Sequence, residues 1–344
     1  MSYIRTGLIG FGFSGATFHA PVIDTVKNIE ITHVASSNPD KVKGQLPEAE
    51  VMSSAEDVCR HSELDAVIIT TPNTTHYQLA KEALEHNKHV VLEKPFVPNL
   101  QEAEELTVIA EERGLFLSVY HNRRWDNDFL TLKECMENGE LGRVHTYEAV
   151  WNRFRPDVRD RWREQNLPGS GTWYDLGSHL VDQALLLFGE PGTIFGDIQV
   201  QREGGKTADY FHVILGYENK RVILRSGSMA IGDSPRYIVH GTKGSFVKYG
   251  LDSQEDMLKI GGKPGDKGWG EDLKDNQAIL TDENGNRNIP SVKGAYEQYY
   301  IKFRDAILEG HQPPVTAHEA ARVIKVIELA EKSSQNHTVV SFHS

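Results

Sequence analysis

The chain reads as an N-terminal doubly wound α/β domain with a parallel sheet, followed by an α+β domain built on a large, mostly antiparallel open sheet. Three observations predict this. Residues 1–121 alternate short apolar runs with helix-like segments. Beyond His121 that alternation gives way to longer runs of β-branched and aromatic residues with no helices between them. At 344 residues the chain also exceeds one ordinary core, so it is divided into domains 1–121 and 122–344.

The elements follow in order. Ile4 to Ile9 is the first strand and Ala16 to Val26 the first helix. A strand from Ile31 to Ser36 and a short helix near Ala55 to His61 come next, then a strand from Ala66 to Thr71 and a helix from Thr75 to Asn87. His89 to Leu92, Leu100 to Arg113 and Phe116 to Tyr120 complete the first half. Ala66-Val67-Ile68-Ile69 is apolar throughout, as a strand buried on both faces requires. In the second half a helix from Asn127 to Asn138 stops at Gly139. Val144 to Phe154, Tyr210 to Tyr217, Arg221 to Ala230 and Arg236 to His240 are strand-like, with turn signals at Glu218-Asn219 and Asn284-Gly285. Helices are expected at Ser178 to Phe188, Tyr296 to Leu308 and Ala317 to Lys332, the last capped by Thr316. Gly261 to Gly270 reads as a mobile surface loop.

Composition narrows the function. Hydrophobic residues at 39% and charged residues at 25% are those of a folded globular protein, and the net charge of −12 opposes a nucleic-acid groove or an anionic membrane surface. A small-molecule substrate is therefore expected, with no nucleic-acid or membrane partner. Cys59 and Cys135 lie outside any Cys-x-x-Cys pattern, and no leader precedes the first strand, so a reduced pair of thiols and a cytoplasmic location are expected. No apolar run reaches the roughly 18 residues of a membrane helix.

Gly10-Phe11-Gly12-Phe13-Ser14-Gly15 lies between the first strand and the first helix, where Gly-x-Gly-x-x-Gly has a physical meaning. The glycines allow a tight turn, backbone approach to a pyrophosphate and close helix packing, and the helix N-terminus supplies N–H groups. This is the signature of a Rossmann domain. At the end of the second strand, where an acid would select NAD, stand Ser36 and Ser37, with Lys41 following and Asp40 as a nearby acid. Hydroxyls and an ammonium favour a 2′-phosphate, so NADP is the expected cofactor and NAD the lesser one.

Glu93-Lys94-Pro95 follows the strand His89 to Leu92, on the sheet edge where ligands bind. Proline restricts Lys94 to extended backbone, which aims its ammonium. Asp175 and His179 share one face of a helical segment at i, i+4 spacing, and an Asp beside a His fixes its tautomer and steadies imidazolium. Such a set can move a proton to and from an alcohol. A catalytic zinc needs three protein ligands, and no further partner stands out among the 15 histidines, so no metal is expected.

Together with Thr71-Pro72-Asn73 and His76, these motifs resemble the Gfo/Idh/MocA oxidoreductases over essentially the whole chain. The resemblance implies a nicotinamide cofactor, Lys94, Asp175 and His179 acting on a carbohydrate or polyol carbinol, and a homo-oligomer, dimer or tetramer, formed through the C-terminal sheet. His121 to Asp126 and Arg153 to Glu164 resemble a narrower branch that includes NADP-dependent scyllo-inositol dehydrogenases. By that resemblance Asn122, Arg123, Trp162 and Arg163 approach the nicotinamide end of the cofactor, while Glu93 joins its binding loop.

The supply of hydrogen-bonding side chains at Arg153, Arg155 and Tyr174 suits a neutral polyhydroxylated ring, with scyllo-inositol and its 2-keto form the specific expectation. The rival reading is a non-catalytic NADP-binding sensor on the same scaffold, which turnover would separate. A hydrolase is disfavoured because no Gly-x-Ser-x-Gly elbow occurs.

Overall fold

The computed structural model describes residues 3–272 and 276–343. Its first sheet comprises β1 (Ile4–Ile9), β2 (Ile29–Ala35), β3 (Glu50–Met52), β4 (Ala66–Ile69), β5 (His89–Leu92) and β6 (Leu117–Val119). All neighbours pair in parallel, in the order β3-β2-β1-β4-β5-β6. Four consecutive residues of β4 are fully buried, because helices such as His76–Glu85 and Leu100–Glu112 connect its neighbours and cover the sheet. The strand order reverses between β1 and β4, and ligands of open parallel sheets bind at the carboxyl ends beside such a switch.

The second sheet comprises β7 (Val144–Val150), β8 (Thr193–Gln199), β9 (Tyr210–Gly216), β10 (Arg221–Gly227), β11 (Tyr237–Gly241), β12 (Ser245–Lys248), β13 (Ala278–Asp282), β14 (Gly285–Ile289) and β15 (Val340–Ser341). Their order is β14-β13-β12-β11-β7-β10-β9-β8-β15. β7 and β10 pair in parallel and the other neighbours antiparallel. One face is closed by helices. Ser333 and Ser334, on the helix Ala317–Asn336, accept the backbone N–H groups of Gly196 and Ile198, and a Cβ on Gly196 would come within 2.3 Å of the Ala330 carbonyl oxygen. The opposite face carries a line of residues in direct cross-strand register, Phe195, Ile214, Ile223, Glu148, Ile238, Val247 and Ile279. Apart from Glu148 it is apolar, and none of it is fully buried.

The chain forms two compact units that are interleaved in sequence. Met1–Trp125, Ser253–Trp269 and Ala295–Arg322 make the first; Asp126–Asp252, Gly270–Gly294 and Val323–Ser344 make the second. A linear division at residue 121 does not anticipate these returns. One return is held by burial: the helix Glu297–Glu309 buries Tyr299 and Tyr300 in the first unit, with the Tyr299 hydroxyl 2.7 Å from Ser118 Oγ.

Several elements differ from expectation. The first helix is split into a π-helical turn, Gly15–His19, and a short α-helix, Ala20–Ile23. Gly261 to Gly270 is not a free loop at its end, because Trp269 is buried and its indole N–H donates to Glu297 at 3.0 Å. The helix Gln254–Lys259 and the short strands β3, β12 and β15 were not foreseen. Thr316 does cap its helix, and reciprocally: Glu319 N–H donates to the Thr316 hydroxyl at 3.1 Å, while Thr316 N–H donates to the Glu319 carboxylate at 2.8 Å. Cys59 and Cys135 are free and buried, and burial pushes both thiols up to about 12.

Candidate active site

In the first unit the site begins where β1 ends. Gly10 has φ +94°, a conformation that favours glycine, and a Cβ on Gly15 would stand 2.2 Å from the Gly10 carbonyl oxygen. Gly12, by contrast, would place a Cβ in open space, with no atom within 4 Å. The loop therefore closes on itself at both ends and leaves its middle open, as a bound pyrophosphate requires. The arrangement fits a dinucleotide. Phe13, within the loop, is exposed with its ring edge-on to Phe18. The Thr70 hydroxyl, at the end of β4, donates to the Gly10 carbonyl at 2.6 Å.

At the end of β2, the Ser36 hydroxyl accepts the Asn38 N–H at 3.1 Å, and Ser37 is exposed. The Lys41 ammonium reaches the glycine loop and donates to the Phe11 and Gly12 carbonyls at 3.0 Å each. Of the three residues expected to bind the adenosine end, Lys41 thus contacts the loop directly.

Thr71, Pro72 and Asn73 form the turn after β4, tightened by a 2.7 Å contact between the Thr71 and Thr75 hydroxyls. His76 lies beneath this turn and is buried, with Nε2 3.0 Å from the Thr71 carbonyl and Nδ1 3.0 Å from that of Phe96. Burial lowers its pKa although the neighbouring carbonyls pull the other way. Its position makes His76 a brace between the Thr71 turn and the Glu93-Lys94-Pro95 turn, whose Lys94-Pro95 bond is cis.

Glu93 collects donors. Its Oε1 accepts from Ser14 Oγ and lies 3.0 Å from His19 Nε2, while its Oε2 accepts the Lys94 N–H at 2.8 Å. Burial alone would raise the carboxyl, but the His19 contact, the Lys94 charge and the Ser14 hydroxyl outweigh it and bring it down to about 2. Further along, Asn122 and Arg123 share a 3-10 turn. Arg123 is buried, donates to the Tyr296 hydroxyl at 3.1 Å and pairs with Glu255. Glu255, which also pairs with Lys259 at 2.7 Å, falls to about 2 despite its partial burial, chiefly through the Arg123 charge.

In the second unit a second π-helical turn, Trp173–Gly177, carries Asp175 and runs into the helix Ser178–Phe188, which carries His179. π-turns of this kind recur at functional sites. Gly177 is required there, since a Cβ would meet the Trp173 ring at 2.1 Å; the Trp173 indole is in turn tied to the Ile327 carbonyl at 3.2 Å. His179 packs on Trp151, with ring centroids 6.0 Å apart, and the guanidinium of Arg236 covers Trp151 at 4.7 Å. Arg236 is itself buried against Asp128 at 3.2 Å, so a fixed stack backs the imidazole.

Arg153, Arg155, Arg163 and Asp175 line one cavity, together with Arg161 and Arg202. Arg202 is the buried post of this segment, bonded to Glu164 at 2.5 Å and Asp209 at 2.8 Å, and it donates to the Asp157 carbonyl at 3.2 Å. Arg163 stacks over Trp162 at 4.9 Å and reaches Asp175 at 3.7 Å. Arg155 has its pKa lowered, first by burial and then by its neighbours Arg159 and Arg161. Tyr174 stands apart from this group: it is buried, with its hydroxyl donating to Glu331 at 3.1 Å. Among the described residues, no three His, Cys, Asp or Glu side chains group as a metal-binding set. Nor is any helix among them long and apolar enough to cross a membrane.

Sequence reasoning did not single out His19, Thr70 and Arg202. His19 had a local signal, standing four residues beyond Gly15 at the foot of the first helix; Arg202 had none.

Comparison with known proteins agrees with this geometry. Residues 4–121 match the family model described as "Oxidoreductase family, NAD-binding Rossmann fold", and residues 133–342 match its "C-terminal alpha/beta domain". The chain is 43% identical over 345 residues to scyllo-inositol 2-dehydrogenase (NADP(+)) IolW of Bacillus subtilis, covering 99% of this chain and 96% of the relative. It is 46% identical to the oxidoreductase YdgJ of Escherichia coli, over 98% of both. The solved structure of the oxidoreductase YvaA from Bacillus subtilis superposes with a TM-score of 0.96 at 42% identity, covering 99% of this chain and 98% of that one.

Proposed function

The chain belongs to the Gfo/Idh/MocA oxidoreductase family, and from that membership we propose an NADP-dependent enzyme that interconverts a secondary alcohol of a cyclic polyol or sugar and its ketone. The observation that carries the reading is the Ser14–Glu93 hydrogen bond. It ties the glycine-rich loop to the residue beside Lys94, so a dinucleotide on that loop would end close to an ammonium at the sheet edge.

A bound nicotinamide supplies or accepts the hydride. The backbone from Gly10 to Gly15 would hold its pyrophosphate, and Ser36, Ser37 and Lys41 its 2′-phosphate, with Lys41 exchanging two carbonyl contacts for a charged one. The turn Thr71 to Asn73, Glu93, Asn122, Arg123, Trp162 and Arg163 would serve the nicotinamide end. In reduction, Lys94 donates a hydrogen bond to the developing alkoxide and His179 delivers the proton; oxidation reverses both steps. Asp175 would orient His179. Arg153 and Arg155 would bond substrate hydroxyls; Tyr174, held by Glu331, would act as wall rather than donor.

For the substrate itself, scyllo-inositol and its 2-keto form are the specific candidates, because the relative IolW is named for that reaction. A homo-oligomer formed through the second sheet would cover the apolar line from Phe195 to Ile279. A cytosolic location suits two free, buried thiols.

The test is a substrate screen followed by cofactor absorbance. Inositols and sugars should turn over with NADP, and 2-propanol should be poorer by up to roughly 10⁴-fold, since hydroxyl-binding groups would be left unpaired. Lys94→Met should cut kcat by about 100-fold or more while cofactor affinity stays close to wild type. No turnover of any polyol, or a variant with wild-type kcat, would overturn the reading.

A further inference from the structure

Behind Lys94, within the first unit, lies a chain of polar groups that the reaction as written does not use. His19 is fully buried, with Nε2 3.0 Å from Glu93 Oε1 and Nδ1 2.5 Å from the Tyr300 hydroxyl. Its ring is held by Tyr120, at a centroid separation of 4.2 Å, and the Tyr120 hydroxyl donates to the Phe18 carbonyl at 3.1 Å. Tyr300 is also fully buried, and burial raises its pKa well above the ordinary value, so its hydroxyl keeps its proton.

These facts assign the direction of each hydrogen bond. Among the described residues the Tyr300 hydroxyl has no other hydrogen-bond partner, so its buried proton is satisfied by donation to Nδ1; Nδ1 then accepts, and the ring proton on Nε2 is donated to Glu93. Glu93 thus receives donors from His19 and Ser14 on one oxygen and from the Lys94 backbone on the other. Ser14 belongs to the glycine-rich loop and Lys94 to the sheet edge, and the carboxylate touches both.

We propose that His19 is a positioning residue which, through Glu93, sets the glycine-rich loop and the Lys94 turn as one unit. Its Nε2 tautomer is imposed by Tyr300. An imidazole suits this place because it bridges a hydroxyl on one side and a carboxylate on the other with one ring. The role of Lys94 in turnover and the use of NADP as the probe rest on the function proposed above; the tautomer does not.

The test uses the full-length protein and three readouts. In wild type, 15N-histidine NMR should show His19 as the Nε2–H tautomer, and Tyr300→Phe, which keeps the ring and removes only the hydroxyl, should shift Nδ1. His19→Leu should weaken NADP binding, measured by titration calorimetry without substrate, by about 10-fold or more, the cost expected for a lost charge-assisted hydrogen bond. His19→Gln, whose amide can still donate to Glu93, should recover most of that loss. Where a polyol is turned over, kcat should fall in His19→Leu alongside affinity. An Nδ1–H tautomer in wild type would overturn the assignment even if His19→Leu failed to fold. Wild-type NADP affinity in a folded His19→Leu would overturn the coupling. If the protein binds NADP but turns over no polyol, the proposed function fails while the calorimetric and NMR arms still decide the role of His19.

Discussion

Arg163 Nε lies 3.7 Å from Asp175 Oδ1 while its guanidinium plane covers the Trp162 ring at 4.9 Å. Both partners are partly solvated, at 39% and 23% side-chain exposure, so the pair contributes less than about 1 kcal/mol to stability. On the proposed function its value would be geometric, the stacked Arg163 holding Asp175 in place. Arg163→Gln should therefore leave the melting temperature within about 2 °C and lower kcat/KM by about 10-fold. Lysine at this position cannot stack as a plane, so Arg163→Lys should not restore activity. Equal losses of stability and activity would show instead that the pair only holds the loop together.

Replacing Ser36 by Asp should move preference toward NAD. The carboxylate would repel a 2′-phosphate and offer the ribose hydroxyls an acceptor. Lys41, which donates to two loop carbonyls, would have a competing partner nearby. The measurement is kcat/KM with each cofactor. A wild-type enzyme that favours NAD would remove the premise, and a variant whose cofactor ratio does not move would place the discriminating contact elsewhere.

The parallel sheet and its glycine loop were legible because each depends on local pattern: continuous apolar strands, a strand-to-helix turn, and three glycines in register. Gly10 and Gly15 show why, since one has a backbone angle that favours glycine and the other would strike the first's carbonyl. Lys94, Asp175 and His179 were singled out by motif and spacing, and their role belongs to the proposed function. What stayed hidden was long-range. His19 and Tyr300 are 281 residues apart and meet only because the helix Glu297–Glu309 returns to the first unit. Arg202 likewise braces Glu164 across 38 residues, and no periodicity announces it. Tyr174 misled in the other direction, because a tyrosine beside the acid looks available until Glu331 is seen to hold it.

The apolar line on the second sheet gives a prediction about assembly. Ile223 and Ile238 flank Glu148 in register, on neighbouring strands. Glutamates at both positions would set three like charges side by side, which is unfavourable between strands and prohibitive in a buried interface. Wild type should run as a dimer or tetramer in light scattering behind size exclusion, and the double variant Ile223→Glu, Ile238→Glu as a monomer. Monomeric wild type at micromolar concentration would end the proposal.

Glu255 offers a test of pH dependence with a definite sign. Beside Arg123 and Lys259 its carboxyl is brought down to about 2 from an ordinary 4.5, so the folded state binds its proton less readily than the unfolded state does. A depressed carboxyl contributes stability that is fully present above about pH 4.5 and is lost as pH falls toward 2. Glu255→Gln should remove that contribution at neutral pH, by about 1 to 3 kcal/mol once its partial exposure is allowed for, because the buried Arg123 loses its countercharge. The variant and wild type should then converge in acid, with unfolding free energies from urea titrations at pH 6 differing more than those at pH 3. Glu93 is depressed in the same way and will add to the acid slope of both proteins equally, so the difference between them isolates Glu255. A gap that stays constant from pH 6 to pH 3 would mean that Glu255 contributes by packing rather than by charge.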